Sequence, residues 1–183
     1  MSALFWGFFF VYINFNLIVN GHVLNVLPAF VGYALIMKAC REMEGESGLF
    51  SSIRPFALGM AIYTGLLWLG DLLALTGQGS WLTVLLGLAS LAVSLYISWS
   101  VVQAIRDVEA RRTAELNSNS LKTAWTVLAV AQAVSWVLAM LGSLLALLGV
   151  IAGLVGIVWF LVALWRSRKT YEALPPLDGP AMD

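Results

Sequence analysis

The chain is poor in groups that do chemistry. Of its 183 residues one is cysteine (Cys40), one is histidine (His22), and only 11% are charged. A lone cysteine excludes an internal disulfide, and Cys40, near the charged end of a helix, reads as structural or incidental. A single histidine without clustered cysteines or carboxylates leaves no metal-ligand set, so neither metal nor other cofactor is expected. Formal net charge is zero, which gives no electrostatic footprint for nucleic acid.

What the chain has is hydrocarbon. Hydrophobic residues make up 61% of it and mean hydropathy is +0.89, where soluble domains are about half apolar and a quarter charged. Several runs approach or exceed the roughly 20 residues a helix needs to cross a ~30 Å hydrocarbon core. Spanning segments must satisfy their own backbone hydrogen bonds, and these runs lack the alternation of barrel strands, so they read as helices. The expected fold is an all-α, polytopic membrane bundle of six transmembrane helices, at about 3–19, 26–44, 55–76, 80–105, 122–142 and 147–166. They form one domain over 1–170, followed by a polar tail at 171–183 that is expected to be disordered.

The boundaries follow from turn chemistry. The first run has no positive leader segment and no small-x-small cleavage site, so it reads as a span rather than a secretory signal. Asn20-Gly21-His22 reverses the chain, Asn25 is a candidate N-cap, and Pro28 fits the first turn after it. Residues 45–54 form a short surface connection before Pro55 opens the third helix, and Gly77-Gln78-Gly79 is a tight turn. Past Val102 the fourth helix grades into a charged extension with Asp107 and Arg111 at i,i+4 spacing. Residues 121–165 carry no charge except Lys122; as one helix they would run roughly 67 Å, so a turn is required within 142–149. Residues 70–77 and 142–149 also echo one another, which leaves a duplication open.

All ten basic residues fall in the second and fourth connections or at the tail: Lys38, Arg41, Arg54; Arg106, Arg111, Arg112, Lys122; Arg166, Arg168, Lys169. The other three connections have none. Lys/Arg excess marks the cytoplasmic side, so both termini are expected in the cytoplasm of a cell that holds this chain in its plasma membrane. Trp6, Trp99, Trp125 and Trp165 near the inner boundary and Trp81 near the outer one agree with that orientation.

Polar residues inside the spans are the candidates for function. Asp71 is the only acid within an expected span, and an intramembrane carboxylate is costly enough to suggest a role. It either reaches outer water or neighbouring helices, or lines an outward-facing pocket with His22, Asn16, Asn20, Asn25 and Gln78, which share its depth. Ser90, Ser94 and Ser98 form a stripe at i,i+4,i+8; Ser135 begins a similar one, and Gly149 and Gly153 make a GxxxG pair. These read as close-packing faces within the bundle or against a partner, with Gln132 as an interhelical tie.

Catalysis is not expected. Leu69-Gly70-Asp71 resembles part of the Gly-x-Gly-Asp motif of intramembrane aspartyl proteases, but there is no second membrane aspartate to share a proton. A Gly-x-Ser-x-Gly context and a phosphate-binding loop are both missing. Asn14-Phe15-Asn16-Leu17 with Val26-Leu27-Pro28-Ala29-Phe30-Val31-Gly32-Tyr33 resembles the first hairpin of a family of small, functionally uncharacterised multi-pass membrane proteins of Gram-positive bacteria. Ala29 stands where that family tends to carry Asp, and the likeness covers about the first fifth of the chain. The size and six-helix layout are also similar to the substrate-binding subunits of energy-coupling-factor vitamin transporters, with Ala3-xxx-Gly7 in place of their first-helix motif. Two functions are expected in order: a non-catalytic accessory or assembly subunit that holds a membrane partner or a second copy, and a transport or small-ligand-binding subunit built around Asp71.

Overall fold

The structure, a computed structural model, describes residues 1–13, 16–19, 22–25, 28–72 and 81–174, and their side chains except at 16–19, 22–25, 71–72, 82–83, 139–141 and 143–144. Among these residues there are six helices: α1 (Ser2–Tyr12), α2 (Ala29–Glu42), α3 (Leu49–Leu72), α4 (Trp81–Arg112), α5 (Ser118–Leu141) and α6 (Ser143–Glu172). Two antiparallel strands, β1 (Asn16–Val19) and β2 (His22–Asn25), lie between the first two helices. The four helices α3 to α6 are long and apolar enough to cross a membrane.

The N-terminal third departs from the sequence reading. α1 has 11 residues and α2 has 14, roughly 16 and 21 Å, so neither helix alone reaches across ~30 Å. The helix expected over 3–19 stops at Tyr12, and Ile13 is already extended (φ −97°, ψ 95°). The cause lies in composition: β-branched Val11, Ile13, Ile18, Val19 and Val23 favour the pleated conformation, and the intervening asparagines disfavour helix interiors. Asn16 pairs with Asn25 and Val19 with His22. Asn25 therefore belongs to a strand rather than capping the second helix, whose N-cap is Pro28.

Three further boundaries move. α3 starts at Leu49, so Pro55 lies inside the helix instead of opening it; Ser47 Oγ accepts from Leu49 N–H (3.3 Å) and Ser51 Oγ donates to Gly48 O (2.8 Å), which organises an earlier first turn. α4 carries its charged extension to Arg112, and Glu109 then accepts from both the backbone N–H and the hydroxyl of Ser118 (2.9 and 3.0 Å), capping α5. α5 and α6 are separated at Gly142, whose φ of 146° and ψ of 162° suit glycine alone. The turn thus takes the early end of the expected 142–149 window. Gly70, its counterpart in the echo, is helical, so the two segments do not share local structure at their first glycine. α6 continues six residues beyond the expected 166, to Glu172, held by the Arg168–Glu172 pair (2.8 Å) and by Arg168 and Lys169 over the Trp165 ring. The tail expected at 171–183 is helical at its start, and residues 175–183 lie outside the described residues.

Small residues set the helix contacts. A Cβ on Gly7 would come within 2.9 Å of Gly32 O, and one on Gly32 within 2.6 Å of Gly7 O, so α1 and α2 meet backbone to backbone. α1 then lies on α6 through Phe5–Trp165 and Phe8–Phe160 ring contacts (5.1 and 5.4 Å). Leu, Val and Ile project outward from α3 to α6, for example Ile62, Leu66, Val134, Val155 and Val158, which suits a surface solvated by lipid.

One end of the bundle gathers the charges. Glu46, in the α2–α3 connection, accepts from Arg112 of α4 (Nε, 2.7 Å) and from the Tyr171 hydroxyl of α6 (2.8 Å). Ser47 donates to Asp107 (2.6 Å), and Arg54 pairs with Glu44 (3.0 Å). Burial raises the Glu46 pKa, but the hydrogen bonds from Arg112 and Tyr171 outweigh it, and the carboxyl ends below its ordinary range.

Two outcomes follow for stability. Gly32→Ala should lower stability in detergent by about 1–3 kcal/mol through overpacking, whereas Gly59→Ala, with no atom near its added Cβ, should raise it by roughly 0.5–1 kcal/mol; thermal unfolding of both variants checks this. A carboxyl whose folded pKa is depressed adds stability above its unfolded pKa and loses it as pH falls through the folded one. Glu46→Gln should therefore destabilise by about 1.5–3 kcal/mol at neutral pH, with the difference from wild type closing as unfolding is followed into acid.

Candidate functional site

A cavity of about 380 Å³ opens among α1 to α5 in the half of the bundle remote from the charged end. Its wall is assembled where helices begin or stop: Tyr12 from the last turn of α1, Tyr33 from the start of α2, Thr64 from α3, Ser90 and Ser94 from α4 and Gln132 from α5. Val11, Ala29, Leu67, Trp68, Gly87 and Leu91 complete it, and none of its lining residues is charged. Volume and lining fall at the lower end of small-molecule pockets, about 300–1,000 Å³ with a few polar groups on an apolar wall.

The polar groups are held open to different degrees. Thr64 is committed to its own helix, donating to Met60 O (2.7 Å). Ser98 and Ser94 are both polar neighbours of the Tyr12 hydroxyl, and Ser94 is also the neighbour of Tyr33. The Tyr12 hydroxyl is shielded from solvent and makes no hydrogen bond of normal geometry, the one buried side-chain polar atom among the described residues of which this is true. Neither the Ser90 hydroxyl nor the Gln132 amide has a side-chain hydrogen bond among the described residues. In a bundle this apolar, several such groups converging on one space make a site that can bind a neutral ligand through hydroxyl and amide hydrogen bonds.

The expected site residues scatter with respect to it. Asp71 lies in α3 one turn beyond Leu67 and Trp68 of the wall, but its side chain is outside the described set. Asn16, His22 and Asn25 are placed in the strand pair with their side chains outside that set, and Asn20 and Gln78 lie outside the described residues altogether. The serine stripe divides. Ser90 and Ser94 line the cavity, whereas Ser98 donates to Leu95 O (3.0 Å) and accepts from Trp125 Nε1 (3.0 Å), tying α4 to α5. Ser135 donates within 2.6 Å of both Ala131 O and Gly149 O. A Cβ on Gly149 would come within 2.9 Å of Ser135 Cα, and one on Gly153 within 3.6 Å of Ser135 Oγ, so this small-residue face is used between α5 and α6 of the same chain.

No sequence pattern singles out Tyr12, Tyr33 or Thr64, and Gln132, an expected interhelical tie, is cavity lining. Each is an isolated polar group in an apolar run, and only the packing of five helices puts them together. Among the described residues no group of three His, Cys, Asp or Glu side chains is placed to hold a metal ion. The class these features define is a helical bundle with four candidate membrane-spanning helices and, among α1 to α5, a cavity with polar groups on an apolar wall. No protein family, curated protein or solved structure matches the chain.

The Tyr12 hydroxyl is buried without a hydrogen bond of normal geometry, so the unliganded Tyr12→Phe variant should be as stable as wild type or more so, by up to about 1–3 kcal/mol. Thermal unfolding without added solutes tests it; a fall of several degrees would mean the hydroxyl is already satisfied.

Proposed function

We propose that this protein is a non-enzymatic plasma-membrane subunit that binds, or helps to transport, a small uncharged polar molecule. The observation that carries the reading is the convergence of Tyr12, Tyr33, Ser90, Ser94 and Gln132 on one cavity inside an otherwise apolar bundle. Asp71, one turn above that wall, stands at its outer mouth in this reading and helps to draw polar solutes inward.

The orientation that goes with it has both termini in the cytoplasm. The meeting of the α2–α3 connection with the ends of α4 and α6 through Glu46, Arg112 and Tyr171 supports it, since four of the basic residues, Arg54, Arg111, Arg112 and Arg168, then lie at or beside a single boundary. The four long helices cross in this reading, and α1 and α2 enter from the cytoplasmic side with the strand pair continuing toward the other face. Because four crossings return the chain to its starting side, the termini stay together whether or not α1 and α2 complete a crossing.

A partner-holding subunit is the second reading, favoured by the exposed charged side chains of Arg106, Arg111 and Glu115 around the end of α4. One experiment separates the two. The protein is purified from native membranes in mild detergent, denatured, and both released small molecules and copurifying proteins are quantified by mass spectrometry. A released polar solute, reduced about tenfold or more in Gln132→Leu by loss of one hydrogen bond, is the expected result. A stoichiometric protein partner with no solute would replace this reading with the second.

A further inference from the structure

A second feature lies on the outside of the bundle, in the groove between α5 and α6 at the charged end. It has a cavity of about 400 Å³ whose polar part is formed by Arg166, Ser120, Asn117 and Thr123, the last already donating to Asn119 O, and whose apolar part is formed by Trp159, Val162 and Ala163. The same Trp159 and Val162 also border a wholly apolar groove of about 510 Å³ that continues along α6 past Val158 and Val155. The two spaces therefore adjoin at these two side chains, a polar head beside an apolar stem. No Asp or Glu lines either part.

Arg166 differs from its neighbours. Arg168 is paired with Glu172 and lies over Trp165, and Lys169 lies over the same ring. The Arg166 guanidinium has no ion pair or hydrogen bond among the described residues and borders the polar head instead. An arginine fork matches a phosphate better than any single donor does, and the Ser120 hydroxyl and Asn117 amide add donors beside it. From Val162 to Leu154 the apolar stem rises roughly 12 Å along the helix axis, the direction in which an acyl chain leaves a headgroup at the membrane boundary.

We propose that these adjoining spaces together are a binding site for one anionic phospholipid, with the phosphate on Arg166, Ser120 and Asn117 and an acyl chain along Val162, Val158 and Val155. The assignment is independent of what occupies the internal cavity, because the two spaces share no residue. It also fits the general preference of anionic lipids for basic pockets between helices at the cytoplasmic boundary.

The test uses the full chain, delipidated in detergent, titrated by native mass spectrometry with phosphatidylglycerol, with phosphatidylcholine of identical chains, and with inorganic phosphate. Phosphatidylglycerol should bind as a discrete first equivalent, and Arg166→Gln should weaken it about tenfold, the equivalent of one charged hydrogen bond. Lys169→Gln, an equal change of charge three residues away, should change it less than twofold. Val158→Ser should weaken phosphatidylglycerol while leaving Arg166 intact, which also covers the case of an Arg166→Gln variant that fails to fold. Equal losses in Arg166→Gln and Lys169→Gln, equal retention of phosphatidylcholine, or binding of inorganic phosphate as tight as that of the lipid would each overturn the proposal.

Discussion

The contact on which the arrangement turns is the one that Glu46 makes with Arg112 and Tyr171. It joins three segments far apart in sequence: the connection after α2, the end of α4 and the end of α6. Helix packing between apolar surfaces in lipid is weakly directional, since lipid tails compete with side chains on nearly equal terms. A partly buried carboxylate that accepts from a guanidinium and a phenol is directional, and it decides which helix ends meet. Ser47 with Asp107 and Glu109 with Ser118 extend the same polar layer into the neighbouring connections. With one end tied in this way, whatever mismatch in helix length the chain contains must appear at the other end.

The serines show how the same pattern in sequence divides in space. A stripe of Ser90, Ser94 and Ser98 is one face of one helix by spacing alone. Whether such a face is packing or lining depends on what stands opposite. Trp125 stands opposite Ser98 and takes its oxygen, while Ser90 and Ser94 face the level at which α1 ends and α2 begins. On α5, Ser135 meets the backbone of Gly149 so closely that it is wholly engaged within the chain. This face, expected to pack within the bundle or against a partner, is thus covered by the protein's own last helix.

The long elements were legible in the sequence because hydrocarbon length is a strong constraint. The runs of α3 to α6 announced themselves by length and composition, and the arithmetic of 121–165 demanded a break that Gly142 supplies. The first 28 residues were not legible in the same way. An apolar run rich in Val, Ile and Phe satisfies a hydropathy criterion as either helix or strand, and Asn20-Gly21, the dipeptide most favoured between paired strands, was read only as a reversal. Pro55 misled for a related reason: it marks helix starts on average, but Ser47 and Ser51 had already organised a turn upstream. The cavity was least legible. Apart from Ser90 and Ser94, which share a face of α4, its hydroxyls and amide come singly from α1, α2, α3 and α5, so no spacing within one element reports the set.

The shortness of α1 and α2 and the existence of the cavity are one fact seen twice. Up to Tyr12 and from Ala29 onward these two helices fill the bundle, pressed together at Gly7 and Gly32. Beyond those residues the chain continues as the β1–β2 pair, with β2 against α3, while α3, α4 and α5 run on past that level. The cavity lies against the last turn of α1 and the first turns of α2, where helix packing gives way to the strand pair. Had the chain kept α1 helical through 19, apolar side chains would fill that level and the hydroxyls of Tyr12, Tyr33 and Ser94 would have nothing to bind but one another. The asparagine-rich, β-branched stretch that ends α1 is thus what turns an otherwise solid bundle into one with an interior, and the site is a consequence of where a helix is made to stop.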